Sequence, residues 1–196
     1  MTVVARLGPR DFRPQPWKNG GGTTTELAVY PASGRPLWRV SIADVATSGP
    51  FSDFSGYERT IMLLEGDGMV LRFEGAPEAR IERRWRPFVF DGAWRTGCEL
   101  LGGPVRGLNL IVDREAARGT LEVLLPREAL ERPLRADWTL LYALSGRLKA
   151  RVGAAEHALG VGEALRIDGC GDERLSLSSD GIDPAAAMVE IRTLRR

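Results

Sequence analysis

One pattern occurs twice along this chain, and it restricts the folds open to it. Thr60-Ile-Met-Leu-Leu-Glu-Gly-Asp-Gly-Met-Val-Leu leads on to Phe88-Val-Phe-Asp-Gly, and Thr139-Leu-Leu-Tyr-Ala-Leu-Ser-Gly-Arg-Leu-Lys-Ala leads on to Ala164-Leu-Arg-Ile-Asp-Gly. Eighty residues separate Gly66 from Gly146 and 77 separate Gly92 from Gly169, so the two copies keep step apart from small differences in loop length. Each copy reads as a strand, a tight turn at glycine, a second strand, a loop, and a strand that ends in Asp-Gly. Glycine suits hairpin turns whose backbone needs positive φ. A period of this size points to two homologous β-rich halves.

The rest of the chain agrees. Apolar runs such as Trp38-Arg-Val-Ser-Ile-Ala, Leu108-Asn-Leu-Ile-Val and Met188-Val-Glu-Ile-Arg are short and are bounded by Gly, Pro, Asp or Ser. That is the signature of many short strands in a sandwich or barrel. Helical periodicity is confined to one or two turns at 114–118 and 126–131, the second with Pro126 where a first helical turn tolerates it. The expected fold is therefore all-β, with two barrel or sandwich halves and short helical connectors. The expected division is residues 1–115, carrying the ligand pocket, and residues 116–196, with the charged stretch 113–137 as connector and strands open to exchange between the halves.

Composition excludes several function classes. The 196 residues carry 27 basic and 26 acidic side chains, a net charge of +1, so no basic field exists to concentrate nucleic acid or an anionic membrane. No window approaches the roughly 18 consecutive apolar residues of a membrane span. The first residues lack the charged start and apolar run of a secretory signal, so a cytoplasmic location is expected. Two cysteines, Cys98 and Cys170, have neither disulfide-framework nor zinc-motif spacing. Both read as buried small apolar residues with no local base. His157 is the one histidine. A single imidazole with scattered carboxylates is a poor transition-metal site, so no metal and no cofactor is expected.

Polar residues gather in three places. Trp17-Lys-Asn-Gly-Gly-Gly-Thr-Thr-Thr-Glu26 holds three consecutive glycines, which are costly to order. Two interpretations stay open: a loop whose amides hold an anion, with Lys18 and Asn19 as donors and Trp17 as an apolar wall, or a glycine-rich turn with a surface lysine. The order of a P-loop is absent. Trp38 to Val45 alternates at period two, with Arg39, Ser41 and Ala43 on one face. If that face looks into a barrel, Arg39 and Ser41 can hold a carboxylate, and the planar fork of arginine suits that task. If it looks at water, they are ordinary strand polars. Residues 48–59 form a long aromatic loop in which Phe51, Phe54 and Tyr57 can serve as a lid or as core.

Several of these segments resemble the HutD/Ves family. The resemblance rests on Pro16-Trp-Lys-Asn-Gly-Gly-Gly-Thr-Thr, on Trp38 through Phe54, on Arg59-Thr-Ile-Met-Leu-Leu-Glu-Gly-Asp-Gly, on Pro87-Phe-Val-Phe-Asp-Gly, and on Leu101-Gly-Gly-Pro-Val-Arg-Gly-Leu-Asn-Leu-Ile-Val. It covers most of residues 12 to 114 and is weaker beyond 120. It implies a cupin-like bicupin of bacterial origin associated with histidine utilisation. It further implies a metal-free protein that binds a small pathway carboxylate, N-formylglutamate being the favoured candidate, as a metabolite sensor or regulator, with no established catalysis. Carried onto this sequence, the motifs mark Trp17, Lys18, Asn19, Thr24, Arg39, Ser41, Asp44, Asp91 and Asn109 as ligand-binding candidates. The alternative is a cofactor-independent isomerase or hydrolase acting on a small acidic metabolite, with Lys18 and Asp44 or Asp91 as acid and base. Expected partners are a small carboxylate rather than nucleic acid or membrane, and a homodimer through edge strands is compatible with the fold.

Overall fold

The structure, a computed structural model, describes residues 2–169 and 171–194. Cys170 lies outside the described residues. Two compact units are present, one of Arg13–Ala117 and one of the residues before and after it. The first strand, β1 (Val3–Leu7), belongs to the second unit, so that unit is assembled from both ends of the chain.

The unit of residues 13–117 contains β2 (Arg13–Pro16), β3 (Gly22–Tyr30), β4 (Trp38–Val45), β5 (Gly49–Pro50), β6 (Tyr57–Glu65), β7 (Met69–Phe73), β8 (Ala76–Ile81), β9 (Pro87–Asp91), β10 (Thr96–Leu100) and β11 (Val105–Asp113). They form a six-stranded sheet in the order β2-β3-β4-β11-β6-β9 and a four-stranded sheet in the order β5-β10-β7-β8. Ile61 and Leu63 from the larger sheet meet Met69, Leu71, Phe73 and Cys98 from the smaller one in a single buried cluster. Each such side chain contributes roughly 1.5–3 kcal/mol when fully buried. Cys98 is part of this core, with its Sγ 3.7 Å from the Met69 sulfur, and burial pushes its thiol up to about 11.

The second unit adds β12 (Ala117–Leu124), β13 (Leu130–Pro133), β14 (Trp138–Ser145), β15 (Leu148–Val152), β16 (Ala155–Leu159), β17 (Ala164–Asp168), β18 (Arg174–Ser179) and β19 (Ala185–Thr193). Its sheets run β1-β17-β14-β19-β12 and β13-β18-β15-β16. The run β4-β11-β6-β9 in one unit thus repeats as β12-β19-β14-β17 in the other, and β5-β10-β7-β8 repeats as β13-β18-β15-β16. This is the duplication expected from the sequence, carried through to strand order. Both turn glycines have positive φ, 96° at Gly66 and 71° at Gly146.

The helical connectors do not form. Among the described residues there is no helix: 114–116 is a tight turn joining β11 to β12, and 126–129 is an irregular bend before β13. Neither segment has an apolar stripe to bury, and short isolated helices are not stable on propensity alone.

Candidate functional site

The six-stranded sheet lays out the site row by row, because directly opposed residues of paired strands point to the same face. One row reads Val29, Arg39, Ile111, Arg59, Phe90 across β3, β4, β11, β6 and β9. The next reads Arg13, Glu26, Ser41, Asn109, Ile61, Phe88, starting from β2. A third holds Gln15, Thr24, Ala43, Gly107 and Leu63. Above these rows, within the same unit, lies a cavity of about 530 Å³. The Arg39, Ser41, Ala43 face of β4 therefore looks into the barrel, which settles the alternative left open by the alternation.

Seven of the nine candidates line this cavity: Trp17, Lys18, Asn19, Thr24, Arg39, Ser41 and Asn109. Trp17 Nε1 donates to Thr24 Oγ1 at 2.8 Å, and the indole edge meets Phe51 with ring centroids 6.3 Å apart. Ser41 and Asn109 are buried side by side, with Asn109 Nδ2 donating to the Gly107 carbonyl at 3.2 Å. Lys18 is exposed at the rim.

The other two candidates lie elsewhere. Asp44 does not line the cavity; it is itself exposed and pairs with Arg106 at 3.3 Å. Asp91 is held by Arg114, whose Nη1 donates to it at 2.8 Å, and by the Ala93 amide. The Arg114 hydrogen bond, aided by that amide, lowers the Asp91 carboxyl from its ordinary range. Both residues match the family motifs, but alternation along a strand puts Asp44 on the face opposite Ala43.

The three glycines build a turn rather than an anion nest. The Gly20 amide donates to the Trp17 carbonyl at 3.0 Å and the Gly21 amide to Asn19 Oδ1 at 3.1 Å. Gly20 has φ 71°, and a side chain at Gly22 would collide with the Asp44 carbonyl and sit 3.2 Å from the Trp17 ring. The glycines thus let Trp17 fold against the sheet.

Arg59 was not among the sequence candidates. It lies 7 % exposed and its guanidinium carbon sits 4.8, 4.9 and 5.4 Å from the Phe90, Phe54 and Phe51 ring centroids. The one hydrogen bond of its side chain among the described residues is a long one, Nη1 to the Ser52 carbonyl at 3.5 Å. Among the described residues neither Arg59 nor Arg39 has an ion-pair partner, and the buried Nε of each is unpaired. Burial, aided by the charge of Arg39, lowers Arg59 to about 10. Arg39 is also lowered by burial, against opposing pulls from Glu26 and Tyr57. A signal for Arg59 did exist in the sequence: it falls at period two with Ile61 and Leu63, a charge on the apolar face of a strand. Phe51 and Phe54 form the lid of the cavity, while Tyr57 is core, its hydroxyl donating to the Pro36 carbonyl at 2.8 Å.

The duplicated barrel carries no such rows. In the second unit Met188 faces Leu141 where Asn109 faces Ile61 in the first, and Leu124, Ala143, Ala186 and Leu165 fill the interior around them. His157 lies on β16 with its Nε2 buried and unpaired. Among the described residues no group of three or more His, Cys, Asp or Glu side chains could hold a metal ion.

Comparison with known proteins places this geometry. The HutD family profile matches residues 9–183. The chain belongs to the HutD family. A protein of Pseudomonas putida, named as an uncharacterised 21.2 kDa protein in the hutC 3′ region, is 38 % identical over 184 residues, covering 92 % of this chain and 95 % of that one. Protein Ves of Citrobacter koseri is 36 % identical over 118 residues, 58 % of this chain and 61 % of its own length. The family is thus linked to the histidine-utilisation locus in bacteria. Among solved structures, a conserved protein of unknown function from Pseudomonas aeruginosa PAO1 superposes with a TM-score of 0.90 at 34 % identity, covering 98 % of this chain and all of that one. HutD from Pseudomonas fluorescens SBW25 follows at 0.83 and 28 % identity, covering 98 % and 100 %. Oxalate decarboxylase of Bacillus subtilis, at 0.64 and 9 % identity over 95 % of this chain and 76 % of its own, shares the fold. The HutD chain is therefore a cupin-like bicupin. No helix in the described residues is long and apolar enough to cross a membrane.

Proposed function

We propose that this protein binds a small carboxylate, with N-formylglutamate as the favoured ligand, and acts as a cytoplasmic metabolite sensor of histidine utilisation. One observation carries this: Arg39 and Arg59 stand in a single cross-strand row along one cavity, and neither forms an ion pair with any described residue. Both guanidinium carbons lie close to the Phe54 ring, at 5.3 and 4.9 Å, so the two charges are within about 10 Å of each other. At that range their repulsion is about 1.7 kcal/mol for an effective dielectric of about 20, and desolvation adds to it. A protein keeps such a pair where an anion completes it. Three aromatic rings lie within 5.4 Å of the Arg59 guanidinium carbon, and a planar guanidinium is the group best suited to hold a carboxylate through two parallel hydrogen bonds.

The remaining wall suits the rest of such a ligand. Ser41, Asn109 and Thr24 offer hydroxyl and amide partners, and Lys18 adds a cation at the mouth. A volume of about 530 Å³ falls in the range of small-molecule sites. The near-zero net charge favours a small anion over a polyanion as partner. Neither Asp44 nor Asp91, the carboxylates of the acid–base alternative, lines the cavity, which supports binding over that alternative.

Isothermal calorimetry with N-formylglutamate, urocanate and glutamate tests the proposal. Wild type should bind at least one of them, and Arg39→Ala should weaken that binding by ~2–5 kcal/mol. Absence of binding to all three, or equal affinity in wild type and variant, counts against it.

A further inference from the structure

Arg39 borders two hollows. Arg39 and Gln15 also line a second hollow of about 270 Å³ towards the loop of residues 31–36, where Arg13 and Glu26 supply the charged groups. Glu26 stands directly opposite Ser41 in the cross-strand row that continues to Asn109, so its side chain lies on the cavity face of the sheet. It is half-buried. Arg13 is its cross-strand neighbour on the other side, yet the two form no ion pair, and the Glu26 carboxylate makes no hydrogen bond or ion pair with any described residue. Its field nevertheless reaches Arg39, where it opposes the effect of burial.

The two neighbouring hollows therefore carry charges of both signs in a fixed order. Arg59 and Arg39 come first, then an unanswered carboxylate one row and one strand further out. A carboxylate with no partner, partly out of water, is stabilised by a donor, since each lost hydrogen bond to a charged group costs roughly 1.5–3 kcal/mol. No cation among the described residues pairs with it. A ligand whose carboxylate the arginines hold can bring that donor on an adjoining atom.

We propose that Glu26 is a specificity-determining residue that accepts a hydrogen bond from a nitrogen-borne N–H of the ligand, so that the site selects nitrogen-bearing carboxylic acids over plain dicarboxylates. It rests on the carboxylate-binding function proposed above and narrows its ligand class. An alternative role for Glu26, that of simply offsetting the charge of Arg39, makes the opposite forecast: removing Glu26 would then tighten every anion.

Three probes of equal backbone separate these outcomes by calorimetry: glutarate, which has no nitrogen, N-formylglutamate, which has a neutral amide N–H, and glutamate, which has an ammonium group. Wild type should bind N-formylglutamate about tenfold tighter than glutarate, a difference of ~1.4 kcal/mol. Glu26→Ala should reduce that preference to within about threefold while glutarate affinity stays the same. Glu26→Gln, which keeps the shape and an acceptor oxygen, should retain part of the preference for N-formylglutamate and lose any preference for glutamate. A wild-type protein that does not distinguish the three, a ratio unchanged in Glu26→Ala, or a uniform gain in affinity in both variants each overturns the assignment. Binding of none of the probes to wild type overturns the carboxylate function as well, whereas tight binding with an unchanged ratio overturns only the role of Glu26.

Discussion

Arg59 and Arg39 share one aromatic ring. Their guanidinium carbons stand 4.9 and 5.3 Å from the centroid of Phe54, one from β6 and one from β4, with Ile111 of β11 between them in the sheet. The faces of Phe54 and its neighbours offset part of the cost of burying two like charges, each such contact contributing about 0.5–2 kcal/mol. The uncompensated part of that cost weighs against the stability of the ligand-free fold.

Replacing Arg59 with methionine removes the charge and keeps much of the volume. Arg59→Met should stabilise the ligand-free protein by about 1 kcal/mol, raising Tm by roughly 2–4 °C for a chain of this size, while weakening carboxylate binding. Thermal unfolding without ligand, followed by calorimetry, checks both halves. A lower Tm would mean that the three ring contacts outweigh desolvation.

The pH dependence follows from the sign of the Arg59 shift. Its folded value is lowered to about 10, so below that pH the folded and unfolded states both carry the proton and the burial cost is full and constant. Between about 10 and the ordinary arginine value the unfolded state binds more protons, and this group's destabilisation is relieved as pH rises. The Tm gap between wild type and Arg59→Met should be equal at pH 6 and pH 8.5 and shrink above 10. Carboxylate affinity should be flat over the same neutral range and fall above it. A Tm gap that changes between pH 6 and 8.5 would assign the effect to another group.

Asp91 gives the opposite test. Arg114 and the Ala93 amide hold its carboxyl below the usual range, so its contribution is present above the unfolded value near 4 and is lost as pH falls through the lower folded one. Asp91→Asn should cost about 1 kcal/mol at pH 7, discounted from a buried pair because Arg114 is 40 % exposed. The deficit should persist to about pH 4 and disappear below it, and ligand affinity should be unchanged. Loss of binding in a folded Asp91→Asn protein would return Asp91 to the site.

Gly22 tests the turn that carries Trp17. A methyl group there meets the Asp44 carbonyl and the indole, and overpacking of this kind costs roughly 1–3 kcal/mol. Gly22→Ala should lower Tm and also weaken ligand binding, because the turn cannot move without displacing Trp17 and Lys18. Chemical denaturation paired with calorimetry reads both, and an unchanged Tm would show that the turn relaxes freely.

What could be read without the structure was whatever the backbone encodes locally. Gly66 and Gly146 mark the same positive-φ turn in both halves, and alternation from Trp38 to Val45 puts Arg39 and Ser41 on one face. Those features depend on neighbours a few residues apart, so the duplication into two halves and the shared face of Arg39 and Ser41 were legible. Asp44 and Asp91 matched the motifs yet face other partners, because their surroundings, Arg106 and Arg114, come from distant parts of the chain. Phe51, Phe54 and Tyr57 stood in one undivided aromatic loop, and only packing assigned two to the lid and one to the core.

The sequence by itself determined an all-β chain of two homologous halves with one polar-rich half, since periodicity, turn chemistry and composition are properties of the linear chain. Only the tertiary structure decided which face of β4 is inward, that Arg59 joins Arg39, and that Glu26 is left unanswered beside them. The reason is register: Arg39, Ile111 and Arg59 are brought into one row by cross-strand pairing between segments far apart in sequence, and a shift of one residue would turn every one of those side chains to the other face.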